Sequence, residues 1–264
     1  MKMSQITPLV IKNIKFRFRE PQQFLFIFAF PLMFIALFYM MFHSMVLDGT
    51  KTMFDSYVWG LMGFIVAFSV QSASAAFSQE KGRGTLKRLQ TTPVGSSNSV
   101  FLGFILSEIL IVALQLALVY TILFVLIRTY IASITSLVLT FIVYLLLSIS
   151  CIGIGLMMAA LLSDKLAAQM PMIIIMPFVF LSGAIMPIDS DIIYINPLFW
   201  AHQLASNIGY YGKNPLTQTI TLFNFTTKAS TNTGIPIIAG LPIVILFGIF
   251  FMATGLLLFK KKLE

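Results

Sequence analysis

Charge is scarce in this sequence, and negative charge most of all. There are nine Asp and Glu in 264 residues, and charged residues of both signs reach only 10%. A soluble domain carries about 25% charged residues. A chain this poor in charge cannot cover a water-facing surface, which excludes a soluble globular core. Cysteine is almost absent as well. The single Cys151, inside an apolar run, excludes an intrachain disulfide and reads as a small buried hydrophobe. The two histidines, His43 and His202, lie far apart, and no Cys/His spacing marks zinc. No Gly-x4-Gly-Lys-Ser/Thr phosphate loop occurs. Nor do His, Asp and Glu cluster as an enzyme site near a membrane interface would require.

Apolar residues fill the space that charge leaves. They make up 58% of the chain, with 26 Phe and 15 Met. A helix rises 1.5 Å per residue, so about 20 apolar residues cross the hydrocarbon. Six runs meet that length: Gln22–Phe42, Tyr57–Phe77, Ile105–Ile127, Ile134–Leu162, Ala167–Met186 and Ile235–Phe259. The first exceeds the apolar stretch of a cleaved signal peptide, about 7–15 residues, and no small-x-small site follows it. It reads as a retained span. The expected fold is an all-α integral membrane protein with six transmembrane helices, built as one domain over residues 1–264. Within it, 1–21 form a cytoplasmic segment, 22–186 the first five spans, 187–234 an extracytoplasmic segment, and 235–264 the last span and a cytoplasmic tail.

Six spans place both termini on one side, and the basic residues decide which. Lys2, Lys12, Lys15, Arg17, Arg19, Lys81, Arg83, Lys87, Arg88, Lys165, Lys260, Lys261 and Lys262 fall on the side of the termini. Only Lys51, Arg128, Lys213 and Lys228 fall on the other. The positive-inside bias puts both termini in the cytoplasm of a cell membrane. The net charge of +8 thus reports orientation. It does not point to nucleic acid as a partner.

Two cytoplasmic segments have helical patterns. Ile11, Ile14 and Phe18 share one face before Pro21, and Lys12, Lys15 and Arg19 share a neighbouring one. A basic amphipathic helix of this kind lies flat in the membrane interface. Between spans two and three, Gly82 and Gly84 free the chain and Thr85 supplies a helix cap. Leu86 and Leu89 then share a face, Lys87 and Arg88 point elsewhere, and Pro93 ends the helix. Such a helix suits docking into a soluble partner. A solvated loop that only sets topology is the alternative.

Three stretches carry a resemblance. Arg19-Glu20-Pro21 with Phe30-Pro31-Leu32, the string from Glu80 to Pro93, and Leu181-Ser182-Gly183-Ala184 with Pro187 and Asn196-Pro197 resemble, in order, conserved stretches of ABC-2 family export permeases. The nearest flavour is the daunorubicin-resistance type of drug and lipid exporter. The resemblance implies a type-2 ABC exporter fold and a half transporter: two permease subunits on two ATP-binding subunits. ATP and Mg would be bound by those partners, with no cofactor on this chain. It makes Ile11, Ile14, Lys15, Phe18 and Arg19 an elbow helix. It makes Gly84, Thr85, Leu86, Lys87, Arg88, Leu89, Thr92 and Pro93 the coupling helix. Gly183, Pro187, Asn196 and Pro197 would belong to an outer gate of re-entrant helices.

One carboxylate lies in a span. Glu108 is a functional candidate because an unpaired charge near hydrocarbon costs several kcal/mol. Its depth depends on where the third helix enters the membrane, and a structural or coupling role is favoured over substrate binding. The functional reading is a non-enzymatic subunit of an ATP-driven exporter of an amphipathic drug, lipid or peptide. Export of a lipid-linked glycan is the alternative within transport. An ion-coupled carrier would show internal repeats and several embedded charges, and the sequence shows no clear repeat and only Glu108.

Overall fold

The computed structural model describes residues 3–19, 25–49, 51–82, 97–183, 191–224 and 229–263. The apolar runs become helices because backbone polar groups in hydrocarbon must be satisfied within their own segment. The amphipathic segment forms α1 (Met3–Arg19). A π-helical turn at Leu25–Ala29 leads into α2 (Phe30–Phe42). A two-stranded hairpin, β1 (Val46–Asp48) and β2 (Lys51–Thr52), precedes α3 (Met53–Gly82). Next come α4 (Ser97–Tyr120), prolonged by a π-helical turn at Thr121–Leu126, and α5 (Ile134–Leu161). The fifth apolar run is broken into α6 (Asp164–Gln169) and α7 (Pro171–Phe180). A 3-10 turn at Asp191–Ile195 precedes α8 (Pro197–Gly209). A second hairpin, β3 (Thr219–Asn224) and β4 (Ala229–Pro236), leads through a 3-10 turn at Ile237–Ala239 to α9 (Gly240–Leu263).

Among the described residues, four stretches are long and apolar enough to cross a membrane: Met53–Gly82, Val100–Leu126, Ile134–Leu161 and Ile237–Leu258. The first and fifth sequence runs form shorter apolar helices, Ile27–Phe42 and Pro171–Phe180. This is a helical membrane protein. The two hairpins were not anticipated, because hydropathy over 20-residue windows passes over strands this short. In β3 and β4, Thr221 pairs with Asn232 and Phe223 with Ser230. The β-branched run Thr219-Ile220-Thr221 favours an extended chain.

The centre of the bundle is α3, buried on nearly all sides from Phe54 to Ser78. Its middle is rich in Gly, Ala and Ser, which lets neighbours approach closely. A Cβ added at Gly155 of α5 would lie 2.6 Å from the Val70 carbonyl oxygen of α3. On the opposite side of α5, one at Gly153 would lie 2.5 Å from the Met252 nitrogen of α9. Backbone therefore rests on backbone along both seams. Trp59, Tyr144, Phe54 and Phe64 fill the core beside them, and the Tyr144 hydroxyl donates to the Trp59 carbonyl.

Candidate functional site

The residues that α1 buries are polar. Asn13 and Arg17, one helical turn apart, are the two buried side chains of its described portion. Asn13 Nδ2 donates to Ser107 Oγ at 3.3 Å. Arg17 Nη2 donates to the Ser72 carbonyl oxygen at 2.7 Å and to Glu108 Oε1. The other carboxylate oxygen, Oε2, accepts from Ser72 Oγ at 3.0 Å. The side chains of Arg17 and Glu108 are only 5% and 1% exposed. Charges this far from water persist only when paired and hydrogen-bonded, and here both carboxylate oxygens are occupied. Glu108 is thus a buried group that fastens α1 to α3 and α4.

Two further ion pairs lie nearby in the chain. Lys12 Nζ meets Glu80 Oε1 at 3.0 Å, and Lys81 Nζ meets Asp164 Oδ1 at 2.8 Å. Each has one partner more than 40% exposed, and exposed pairs contribute about 0–1 kcal/mol. The Arg17–Glu108 pair therefore dominates the electrostatics of this end. A polar stripe on α3 connects it to α6. Ser74 Oγ donates to the Ala167 carbonyl at 2.7 Å and Ser78 Oγ to the Asp164 carbonyl at 3.0 Å. Gln71 Nε2 donates to the Ala168 carbonyl, while its Oε1 accepts from Met172 N at 3.1 Å. The break between α6 and α7 leaves backbone groups without helical partners, and Gln71 and Ser74 bond to groups there, while Ser78 holds the start of α6.

Between α1, the turn at Leu25–Ala29, α3, α4 and the α6–α7 break lies a partly open cavity of about 530 Å³. Arg17 and Ser72 line it, together with Phe68 and Met176. At the opposite end of α3, Asp55 Oδ1 accepts from Tyr130 N at 2.8 Å and Asp55 Oδ2 from Thr52 N at 2.7 Å. Lys51 Nζ sits 4.1 Å from the Tyr130 ring centroid and 4.6 Å from that of Tyr210. Nearby Arg128 adopts a left-handed backbone, φ 59°.

The sequence-predicted residues fall into three groups. In α1, Ile11, Lys15, Phe18 and Arg19 are exposed and Ile14 is half-buried; Phe18 stacks on Phe28 at 6.0 Å between centroids. Gly183 follows α7 with φ 68°. Asn196 caps α8: its Oδ1 accepts from Leu198 N at 3.0 Å, and its Nδ2 donates to the Phe178 carbonyl, tying α8 to α7. Pro197 is the buried first residue of α8. Gly84, Thr85, Leu86, Lys87, Arg88, Leu89, Thr92, Pro93 and Pro187 lie outside the described residues. The apolar pattern does not single out Arg17, Asn13 or Ser72. The available signal is the Asn13/Arg17 spacing of one turn, together with the need of an embedded Glu108 for a cation.

No curated protein matches the chain. The family model described as ABC-2 type transporter matches residues 4–210, from α1 through α8. That match takes in α1, the Arg17–Glu108 pair, the broken fifth run and the capped α8. The chain belongs to the ABC-2 type transporter family, as a membrane-spanning permease component of an ABC transporter.

Proposed function

We propose that this chain is one of two membrane subunits of an ATP-driven exporter of amphipathic molecules, with ATP hydrolysed by a separate ATP-binding subunit. In this reading the chain is a single transmembrane domain of six spans in the cell membrane. The shorter helices Ile27–Phe42 and Pro171–Phe180 supply the first and fifth spans. Both termini face the cytoplasm, in line with the excess of Lys and Arg there. Residues 84–93 form the coupling helix, and α8 with the turn before it forms the outer gate. The second subunit is another copy of this chain or a related permease, and ATP with Mg sits on the partner.

The observation that carries the reading is the clustering of ion pairs around the segment joining α3 to α4. Glu80 and Lys81 immediately precede that segment and Glu108 follows it. A push on the segment would reach α3 and α4 directly and α1 through the buried Arg17–Glu108 pair, with the two more exposed pairs at the same end. The partly apolar cavity beside Arg17 supports an amphipathic substrate over an ion, since few embedded charges are present to coordinate one.

Affinity purification of the full chain from its native membrane tests the reading. An ATP-binding subunit with a phosphate loop should co-purify in equal amount, and ATP turnover should require it. Specific ATP turnover by the chain purified free of any other protein would refute the division of labour.

A further inference from the structure

The cavity beside Arg17 presents no unbalanced charge. Its volume, about 530 Å³, falls within the ~300–1,000 Å³ of pockets that enclose drug-sized molecules. Arg17 is the one charged residue among its described lining. That side chain is 5% exposed and already bonded to the Ser72 carbonyl and to Glu108, whose carboxylate is 1% exposed. The pair is neutral as a unit. A charged head group would lose its water here with no counter-charge to receive it, a heavy cost in an apolar surround. Phe30, Phe68, Ile111, Val112, Met172 and Met176 supply that surround, and the two methionines adapt to irregular shapes.

The polar lining leaves one group over. Gln71 is bonded at both ends of its amide, and Ser72 gives its hydroxyl to Glu108. Gln79 has a partner of its own, Gln169 is exposed, and Ser69 lies against the Cys151 thiol. Gln115 differs. It is 3% exposed, and its Nε2 donates to the Ile27 carbonyl at 2.7 Å, which fixes the end of the amide that is oxygen. Among the described residues no donor reaches that oxygen, Oε1. It is not sealed between helices either, so it opens on the cavity that Gln115 lines. Gln115 sits about two turns beyond Glu108 on α4, on the same face as Ile111 and Val112. A buried acceptor left without a donor is rare and costly. A hydroxyl or an amide N–H would satisfy it. An ether or a carboxylate brings no donor, and an ammonium brings a donor together with an unbalanced charge.

We propose that this cavity binds an uncharged amphipath whose hydroxyl or amide N–H donates to Gln115 Oε1 while its apolar body lies against the phenylalanines and methionines. The proposal rests on the export reading above and adds the site, the neutrality of the ligand and the group that orients it.

The test uses the purified full chain in phosphatidylcholine nanodiscs, photolabelled with a diazirine-bearing dodecanol, with adducts mapped by peptide mass spectrometry. Competitors are compared at equal mole fraction in the bilayer, so differences in partitioning cancel. Label should fall on cavity-lining residues of α3, α4 and α7. Plain dodecanol should displace it at a mole fraction about tenfold lower than its methyl ether, which keeps the chain and loses the donor. Dodecanoate and dodecylamine should compete no better than the ether. Gln115→Leu should bring alcohol and ether level. Ala75→Phe, which fills the cavity from a buried lining position, should remove the cavity adducts. Denaturant unfolding confirms that both variants fold, and the alcohol–ether comparison on the unaltered chain decides the matter even if Gln115→Leu does not. Equal competition by alcohol and ether there, the result expected if water already serves Gln115, would overturn the proposal. So would stronger competition by the carboxylate or the amine, or cavity adducts that persist in folded Ala75→Phe. In the assembled transporter, ATP-driven movement of amphipaths without any cavity labelling would overturn the site while leaving export standing. Cavity labelling of a chain with which no ATP-binding subunit co-purifies would instead overturn export and leave the site standing.

Discussion

Neutralising Glu108 perturbs the strongest electrostatic contact in the described structure. Its carboxylate is 1% exposed and its partner Arg17 5% exposed, so a charge left behind stays largely desolvated even though Arg17 borders the cavity. Breaking a buried pair by removing one partner costs about 3–5 kcal/mol, because the remaining charge stays desolvated. Glu108→Gln should lose that much. The guanidinium keeps the Ser72 carbonyl, 2.7 Å away, but loses the Glu108 carboxylate. Arg17→Gln should lose a similar amount, leaving an anion that accepts only from Ser72 Oγ. In the double variant both charges disappear and two amides can bond to each other. Its loss should be below about 2 kcal/mol, far less than the sum of the singles, which marks direct coupling. Lys12→Gln is the control, because Lys12 is 43% exposed and its pair should contribute about 0–1 kcal/mol. Trp59 and Trp200 are both buried, so their fluorescence follows reversible unfolding of the purified chain in mixed micelles. Additive losses in the double variant, or a loss below about 1 kcal/mol for Glu108→Gln, would refute a dry, coupled pair.

Four further outcomes follow from the same account. With Cys151→Ala as background, single cysteines at Lys81, Lys213 and Lys262 should differ in intact cells: an impermeant thiol reagent labels only position 213, and labelling of 81 contradicts the orientation. If Leu86 and Leu89 anchor the coupling helix, each contributing about 1.5–3 kcal/mol when buried, Leu86→Asp or Leu89→Asp should release or uncouple the ATP-binding subunit without blocking membrane insertion, whereas Lys87→Gln changes little; the opposite ordering in co-purification supports a merely topogenic loop. Gly155→Val should prevent close packing of α5 on α3, since even a Cβ would approach the Val70 carbonyl to 2.6 Å, and should destabilise the chain in the same unfolding assay far more than Gly63→Ala, whose Cβ would meet the Tyr144 ring at an ordinary 3.8 Å. Asn196→Ala removes the cap of α8 and its bond to the Phe178 carbonyl, and should cost about 0.5–2 kcal/mol; an unchanged midpoint would show that α8 is held elsewhere.

What could be read from the sequence follows the scale of the signal. The apolar runs locate every long helix, because a span of about 20 residues averages over local irregularity. Their ends were less legible. Helix α3 extends past its apolar run at both ends, carrying Asp55 at one and Glu80 with Lys81 at the other. Hydropathy cuts a helix at its charges, whereas the backbone continues as long as those charges find partners. The fifth run reads as one helix and is two, because Gln71 and Ser74 of α3 supply partners for groups at the break. That compensation comes from a different helix, so no local window contains it. Glu108 was identifiable as an expensive group, but Arg17 read as one basic residue among five. Only the fold brings two residues 91 positions apart into contact. The apolar pattern also passes over the start of α8, where Asn196 supplies a capping side chain and Pro197 a residue suited to the first turn.

The central claim, that this permease moves an amphipath only when a separate subunit hydrolyses ATP, is tested most directly in sealed vesicles. The chain would be reconstituted with and without its co-purified ATP-binding subunit, and loss of a dansyl amphipath from the outer surface of inside-out vesicles followed on adding ATP and Mg. The account predicts uptake into the lumen with both subunits and ATP present, none with either subunit alone, and none with a non-hydrolysable nucleotide. Uptake driven by an ion gradient in vesicles holding this chain alone would contradict it.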